Sequence, residues 1–333
     1  MEIQKITAKF TDVIISHSLN LIIKITANLP LRWIMSILSW YGGFLSPHFR
    51  KQFRTTSAVF HVVNVCQVSD SNFAAEHIRS QLFSQYLRRC LFSQPKIKCE
   101  RFLQKSLENL PTQSSGNCIK LYLCTHTGDY WLSIMTIAYQ YRNHSPGIKQ
   151  LIVPIYEEIT EQNSHIFAKI EIKDFDVIFI HIHEPGALKK IMAYLRDDIS
   201  AVAIFYDLFC YAAGTSNGSV ERVRFFNRTA YMTTGFSSIV VRLNLPTVFV
   251  SSHYCSQNGK FITSLSDMQY FDDVEVLREK MVNHIENYIK EYPAQWYFIS
   301  HLDTFYHYPF VELQKKQENK LNAYHRLQQK YLT

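Results

Sequence analysis

A chain of 333 residues that is 47% apolar and 14% aromatic can bury a large core, which excludes an intrinsically disordered polymer. Seven cysteines, at 66, 90, 99, 118, 124, 210 and 255, form neither a CxxC pair nor an even framework, the usage of a reducing compartment where buried Cys act as small hydrophobes. The formal charge is +7, and residues 1–54 contribute +5 of it, through seven Lys or Arg against Glu2 and Asp12. A basic segment this rich in Leu, Ile and Trp suits an anionic membrane surface; it lacks the interleaved polar and aromatic pattern of a nucleic-acid arm.

In chain order, the N-terminal region offers two apolar runs, Val13 to Ile23 and Trp33 to Phe49. They are separated by Lys24, Pro30 and Arg32, and the second is interrupted by Gly42, Gly43 and Pro47. Neither gives the ~20 clean apolar residues of a spanning helix, so interfacial attachment is expected over residues 1–50, with a single tilted span as the alternative. A secretory signal peptide is not expected, because no small-residue cleavage site follows a short apolar region. Residues 51–333 are read as one α/β domain. Helices are expected over 73–92 and 100–110. A strand over 118–125 follows, in which Ile119, Leu121 and Leu123 alternate with Lys120 and Tyr122, and then a turn and a helix over 129–142. Strand 150–155, a helical piece at 160–169, strand 176–182, helix 185–196 and strand 200–206 continue the alternation. A Gly-containing loop at 214–221, helix 233–243, strand 247–253, a long amphipathic helix at 272–292 and a polar helical tail from Val311 complete it. Such alternation predicts a central, mostly parallel sheet flanked by helices.

Three places could carry chemistry. His126 stands at the expected end of the first strand, beside the N–H groups of Gly128 to Trp131 at the start of a helix. An imidazole there can take a proton from an attacking hydroxyl or amine while backbone N–H groups stabilise an oxyanion; the plainer reading is a His that satisfies loop carbonyls. Asp129, three residues on, could orient that imidazole or simply cap the helix. Asp207 follows the strand AVAIFY and could converge on the same site or cap a loop. His181, His183 and Glu184 put two imidazoles on one strand face, but no third ligand at HxxxH or HExxH spacing appears, so no metal and no other cofactor is expected. Glycine-rich phosphate loops and GxSxG are absent, which disfavours nucleotide and serine-hydrolase chemistry.

Four stretches, in order, resemble one known family. These are LPLRWIMSILSWYGGFLSP, the strand followed by HTGDYW, the block FFNRTAYMTTGFSSIVVRLNLPTVFV, and IENYIKEYPAQWYF. Together they resemble the bacterial lipid A late acyltransferases, the lauroyl and myristoyl transferases of the lysophospholipid acyltransferase superfamily. The resemblance implies transfer of a fatty acyl chain from an acyl-carrier-protein or CoA thioester to a membrane lipid or glycolipid acceptor, at the cytoplasmic face of the inner membrane, with no nucleic acid involved. It makes His126 the general base and implies substrate contacts at Gly128, Lys169, Phe225, Phe226 and Asn227.

Residue by residue, the chain departs from that family. Trp131 stands where the family has Glu or Asp, and Asp129 where it has Asn. Tyr156-Glu157 replaces Tyr-Arg, leaving Lys169 as the nearest basic residue downstream. Asp207 matches a family Asp but precedes Leu208 rather than Gln; Phe225-Phe226-Asn227 replaces Phe-Phe-Gly, and HLDTFY replaces a basic cluster. Two expectations result: a divergent acyltransferase that recruits Asp129 or Asp207 as the missing carboxylate and acts on a lipid-linked or carrier-bound hydroxyl or amine, such as a specialised glycolipid or a carrier-bound peptide, or a non-catalytic relative that binds an acyl chain, an acyl carrier or a membrane-bound partner.

Overall fold

The structure, a computed structural model, describes residues 70–93, 96–106, 118–144, 147–156, 174–208, 220–255 and 260–307, with isolated residues between 21 and 66 and at 172. The helical piece expected at 160–169, Lys169, the tail from Val311 and most of the N-terminal segment lie outside the described residues. Among the described residues, no helix is long and apolar enough to cross a membrane.

Two helices, α1 (Asp70–Ser93) and α2 (Lys96–Lys105), precede the sheet. Then come β1 (Leu121–Cys124), α3 (Tyr130–His144), β2 (Gln150–Ile155), β3 (Asp176–His181), α4 (Ala187–Arg196) and β4 (Ser200–Phe205). A hairpin of β5 (Val220–Phe225) and β6 (Arg228–Thr233) leads to α5 (Ser237–Arg242), β7 (Thr247–Cys255), β8 (Lys260–Leu265) and α6 (Val274–Glu291). Two 3-10 turns, Pro293–Gln295 and Tyr297–His301, and the short α7 (Leu302–Tyr306) end the described chain. The main sheet has the order β3-β2-β4-β1-β7-β8, parallel except for β8, which runs antiparallel to β7.

Every residue of β1 is buried, as the central strand of a sheet covered on both faces must be. On one face Tyr122, Cys124, Ala203, Val248 and Val250 pack against Trp131, Ile134, Ile137 and Ala138 of α3. On the other, Leu121, Leu123, Val202 and Phe249 pack against Ile191 and Leu195 of α4, Val240 of α5, and Leu277 and Met281 of α6. Each such aliphatic or aromatic side chain contributes roughly 1.5–3 kcal/mol when fully buried. A third cluster joins the hairpin, the later face of α6 (Ile285, Tyr288, Ile289) and the segment from Ala294 to Phe305, centred on the fully buried Trp296. Asp273 starts α6 by accepting the N–H groups of Glu275 and Val276 at 2.7 and 3.1 Å.

The sheet differs from the sequence reading in three places. The helix expected over 233–243 is confined to Ser237–Arg242, because residues up to Thr233 pair with β5 as a strand. The hairpin was hidden by its turn. Phe226 and Asn227 both have positive φ (47° and 59°), the primed-turn geometry usually signalled by glycine. The edge strand β8, whose Phe261 and Thr263 alternate inward, was the third omission.

Candidate active site

The site begins at the carboxyl end of β1. Thr125 and Thr127 share a hydrogen bond between their hydroxyls at 2.8 Å, and Thr127 Oγ1 accepts the N–H of Ser252 on β7 at 3.0 Å. Gly128 follows with φ +55°, and a Cβ built on it would come within 2.6 Å of the Ser252 carbonyl oxygen, so backbone conformation and close approach both require glycine. On the other side the segment around Trp296 pairs with the same turn. The Gly128 N–H donates to Gln295 O at 3.0 Å, the Tyr297 N–H to His126 O at 2.9 Å, and Thr127 and Trp296 form an antiparallel bridge. His126 is thereby gripped between β7 and this late segment.

Asp207 arrives from β4. Because β1 and β4 are parallel neighbours with Cys124 opposite Phe205, the residues two positions beyond each strand end emerge side by side. His126 Nδ1 lies 2.7 Å from Asp207 Oδ1, and the His126 backbone N–H donates to Asp207 Oδ2, also at 2.7 Å. The Trp296 indole N–H donates to that same Oδ2 at 2.9 Å. With a carboxylate accepting at Nδ1, the proton sits on that nitrogen, and Nε2 is left as the basic atom. Asp207 is fully buried, whereas the His126 side chain keeps 13% of its exposure. Aromatic rings enclose the imidazole: Phe205, Tyr130 and Phe298 have centroids 4.5, 4.8 and 4.9 Å away.

The imidazole opens on a cavity of about 680 Å³, within the range of small-molecule sites. The cavity runs from His126, Tyr130 and Tyr297 along the sheet beneath α4 and α5, and reaches Leu121, Leu195 and Leu245 at the far end of β1. From Leu121 to His126 is five residues, about 16 Å at the usual strand rise. Among the described residues that line it, His126 is the sole one of His, Lys, Arg, Asp and Glu type, and none is Ser or Cys. The Cys124 thiol, two residues before His126, is buried; burial first and the Asp207 charge second push it well above its ordinary value, so it stays protonated.

The other expected site residues fall elsewhere. Asp129 Oδ1 accepts the N–H groups of Trp131 and Leu132, each at 3.1 Å, and its Oδ2 is 3.5 Å from Arg88 Nε. Its hydrogen bonds are those of a helix cap, and burial raises its carboxyl above the usual range while Arg88 opposes that. Two of the four expected oxyanion donors are engaged, since the Gly128 N–H is bound to Gln295 and the Trp131 N–H to Asp129. Trp131 itself lines the cavity wall and packs edge-on to Phe179.

Phe225 and Phe226, 0% and 1% exposed, are core residues rather than cavity residues, and the Phe226 N–H donates to Glu286 Oε1 at 2.6 Å. Asn227 is exposed at the hairpin turn. The His181 Nε2–H donates to the Tyr156 carbonyl at 3.0 Å. Sequence reasoning missed Trp296, whose role at Asp207 no local spacing could reveal. Its one signal was membership of the IENYIKEYPAQWYF stretch singled out for resemblance.

Fold and site together define a class: an α/β protein with a His–Asp pair, its aspartate buried, at adjacent strand ends above an elongated apolar cavity. No family model matches the chain, and no curated protein sequence matches it, so the lipid A late acyltransferase resemblance is not matched by a family model. Among solved structures, the 1-acyl-sn-glycerophosphate (LPA) acyltransferase PlsC from Thermotoga maritima is similar, with a TM-score of 0.33 and 12% identity. The likeness covers 80% of this chain and 99% of that one, and at that score it carries no argument about function.

Proposed function

We propose that this chain is an acyltransferase: it moves a fatty acyl group from a thioester of an acyl carrier protein or CoA to a hydroxyl or amine of a membrane lipid or glycolipid. The observation that carries the reading is the His126 imidazole, oriented by buried Asp207 and open to an apolar cavity of about 680 Å³. The acyl chain lies along the sheet beneath α4 and α5, with its carbonyl carbon at His126. Nε2 takes the acceptor's proton as the acceptor oxygen or nitrogen attacks, and Asp207 stabilises the imidazolium. The tetrahedral adduct then expels the thiolate, which regains a proton from Nε2, so an ester or amide and a free thiol result. The acceptor attacks the thioester carbonyl directly with His126 as base, so the route needs no acyl-enzyme; Thr233 is the one aliphatic hydroxyl among the described lining residues. Residues 51–333 carry this chemistry as one domain, and the basic, aliphatic residues 1–50 hold it on the cytoplasmic face of the inner membrane.

The test is transfer of labelled acyl chain from acyl-carrier-protein and CoA thioesters into membrane extract, wild type against His126→Ala. A loss on the order of 10²- to 10⁴-fold is expected; equal transfer, or none from either protein, would sink the reading. A second reading, an acyl-binding protein without catalysis, is favoured by one observation: two of the N–H groups suited to an oxyanion are already bound within the protein. That reading expects fatty-acid binding with no transfer from the wild type.

A further inference from the structure

Asp207 is useful to His126 only while one oxygen stays aimed at Nδ1. Its Oδ1 makes that bond, and its Oδ2 accepts both the His126 N–H at 2.7 Å and the Trp296 Nε1–H at 2.9 Å. The first of these donors moves with His126 itself. The indole alone fixes the carboxylate against a separate element, and it comes from 89 residues away. Trp296 cannot easily turn, being fully buried against Phe225, Phe298 and Phe305, with ring centroids 5.9, 6.2 and 5.4 Å away. Its backbone is held as firmly. Gln295 exchanges two side-chain hydrogen bonds with the Tyr254 backbone on β7, at 2.7 and 2.9 Å, and the His77 Nδ1–H from α1 donates to the Ala294 carbonyl at 2.9 Å.

We propose that Trp296 is a positioning residue. Its indole N–H locks the Asp207 carboxylate in the rotation that presents Oδ1 to His126 Nδ1, and so fixes the imidazole with Nε2 toward the cavity. Loss of that one donor frees the carboxylate to rotate and leaves a buried anionic oxygen with one partner fewer, while the substrate cavity is untouched. The proposal rests on the acyltransfer reading for its rate consequence but not for its structural one. The indole faces Asp207 and the aromatic cluster, and it is absent from the cavity wall.

The test is Trp296→Phe in the full chain, followed by the low-field proton resonance of His126 Nδ1–H and by acyl-transfer kinetics. Expected are a shifted or broadened resonance, a kcat lower by about ten- to a hundredfold, as for loss of a hydrogen bond to a charged group, and a KM within about twofold. A wild-type resonance in the variant would overturn the proposal even if transfer fell, since packing alone would then explain the loss. If Trp296→Phe does not fold, benzothienylalanine at position 296, which keeps the ring shape and removes only the N–H, is measured the same way with the same two outcomes. Absence of transfer from the wild type would fail the acyltransfer reading alone, because the resonance reports on the pair with no substrate present.

Discussion

At Asp207, three N–H groups converge on two oxygens that no water reaches, and at Asp129 a second buried carboxylate serves only to cap α3 and meet Arg88. The two aspartates are therefore separable by identical chemistry. Asp207→Asn keeps the shape but removes the charge that stabilises imidazolium, and acyl transfer is expected to fall on the order of 10²-fold or more. Asp129→Asn keeps the cap and loses only the charged contact with Arg88, so stability should fall by about 1–3 kcal/mol while transfer persists. Parallel rate and urea-unfolding measurements on the two variants check both halves. Both aspartates could be named from the sequence, because each sits just past an apolar strand or turn. What could not be read was which of them reaches His126. That depends on β4 lying beside β1 with Cys124 opposite Phe205, and strand order leaves no trace in local spacing.

Elements whose periodicity is their own were legible: α3 buries the face its sequence presents, and α6 does so except at Val276, which is exposed, whereas β1 alternates in sequence yet is buried on both faces, Tyr122 included. The β5–β6 hairpin was not, because a Phe at φ 47° gives no glycine signal and is held there by burial and by Glu286. Helix α1 was legible as a helix but not for its consequence, which lies in His77. Burial lowers the His77 imidazole from its ordinary 6.5 to about 4, outweighing the Ala294 carbonyl bond that acts the other way. His284, beside the Tyr206 hydroxyl at 2.7 Å, is lowered to about 4 for the same first cause. Between pH 6.5 and 4 the unfolded chain takes up protons that these folded side chains refuse. Their contribution is thus fully present above 6.5 and is lost as pH falls toward 4. His77→Asn removes one such group, so wild type should lose about 3 kcal/mol more stability than the variant across that window, read from urea midpoints at each pH.

For the whole molecule, the cavity beneath α4 and α5 and the pair at its mouth are separate constructions. The first can be filled without disturbing the second. Ala187, buried at the start of α4, lines the cavity, and Ala187→Phe would project a ring into it. Overpacking of this kind costs about 1–3 kcal/mol, so the protein should still fold. Binding of a fluorescent fatty acid should weaken at least about tenfold if the cavity holds the chain, with far-UV circular dichroism unchanged. The sheet order has a consequence in time as well as in space. His126 meets Asp207 81 residues later, Thr127 meets Ser252 after 125, and Asp207 meets Trp296 after a further 89. A nascent chain thus makes β1, a strand buried along its whole length, long before either neighbour exists. Such non-local pairing folds slowly and leaves sticky intermediates. On refolding from urea, α1, α3 and α6 can regain their helical signal early, while transfer activity waits for the last pairing around Trp296. The lag between the two measures how late the His126 site closes.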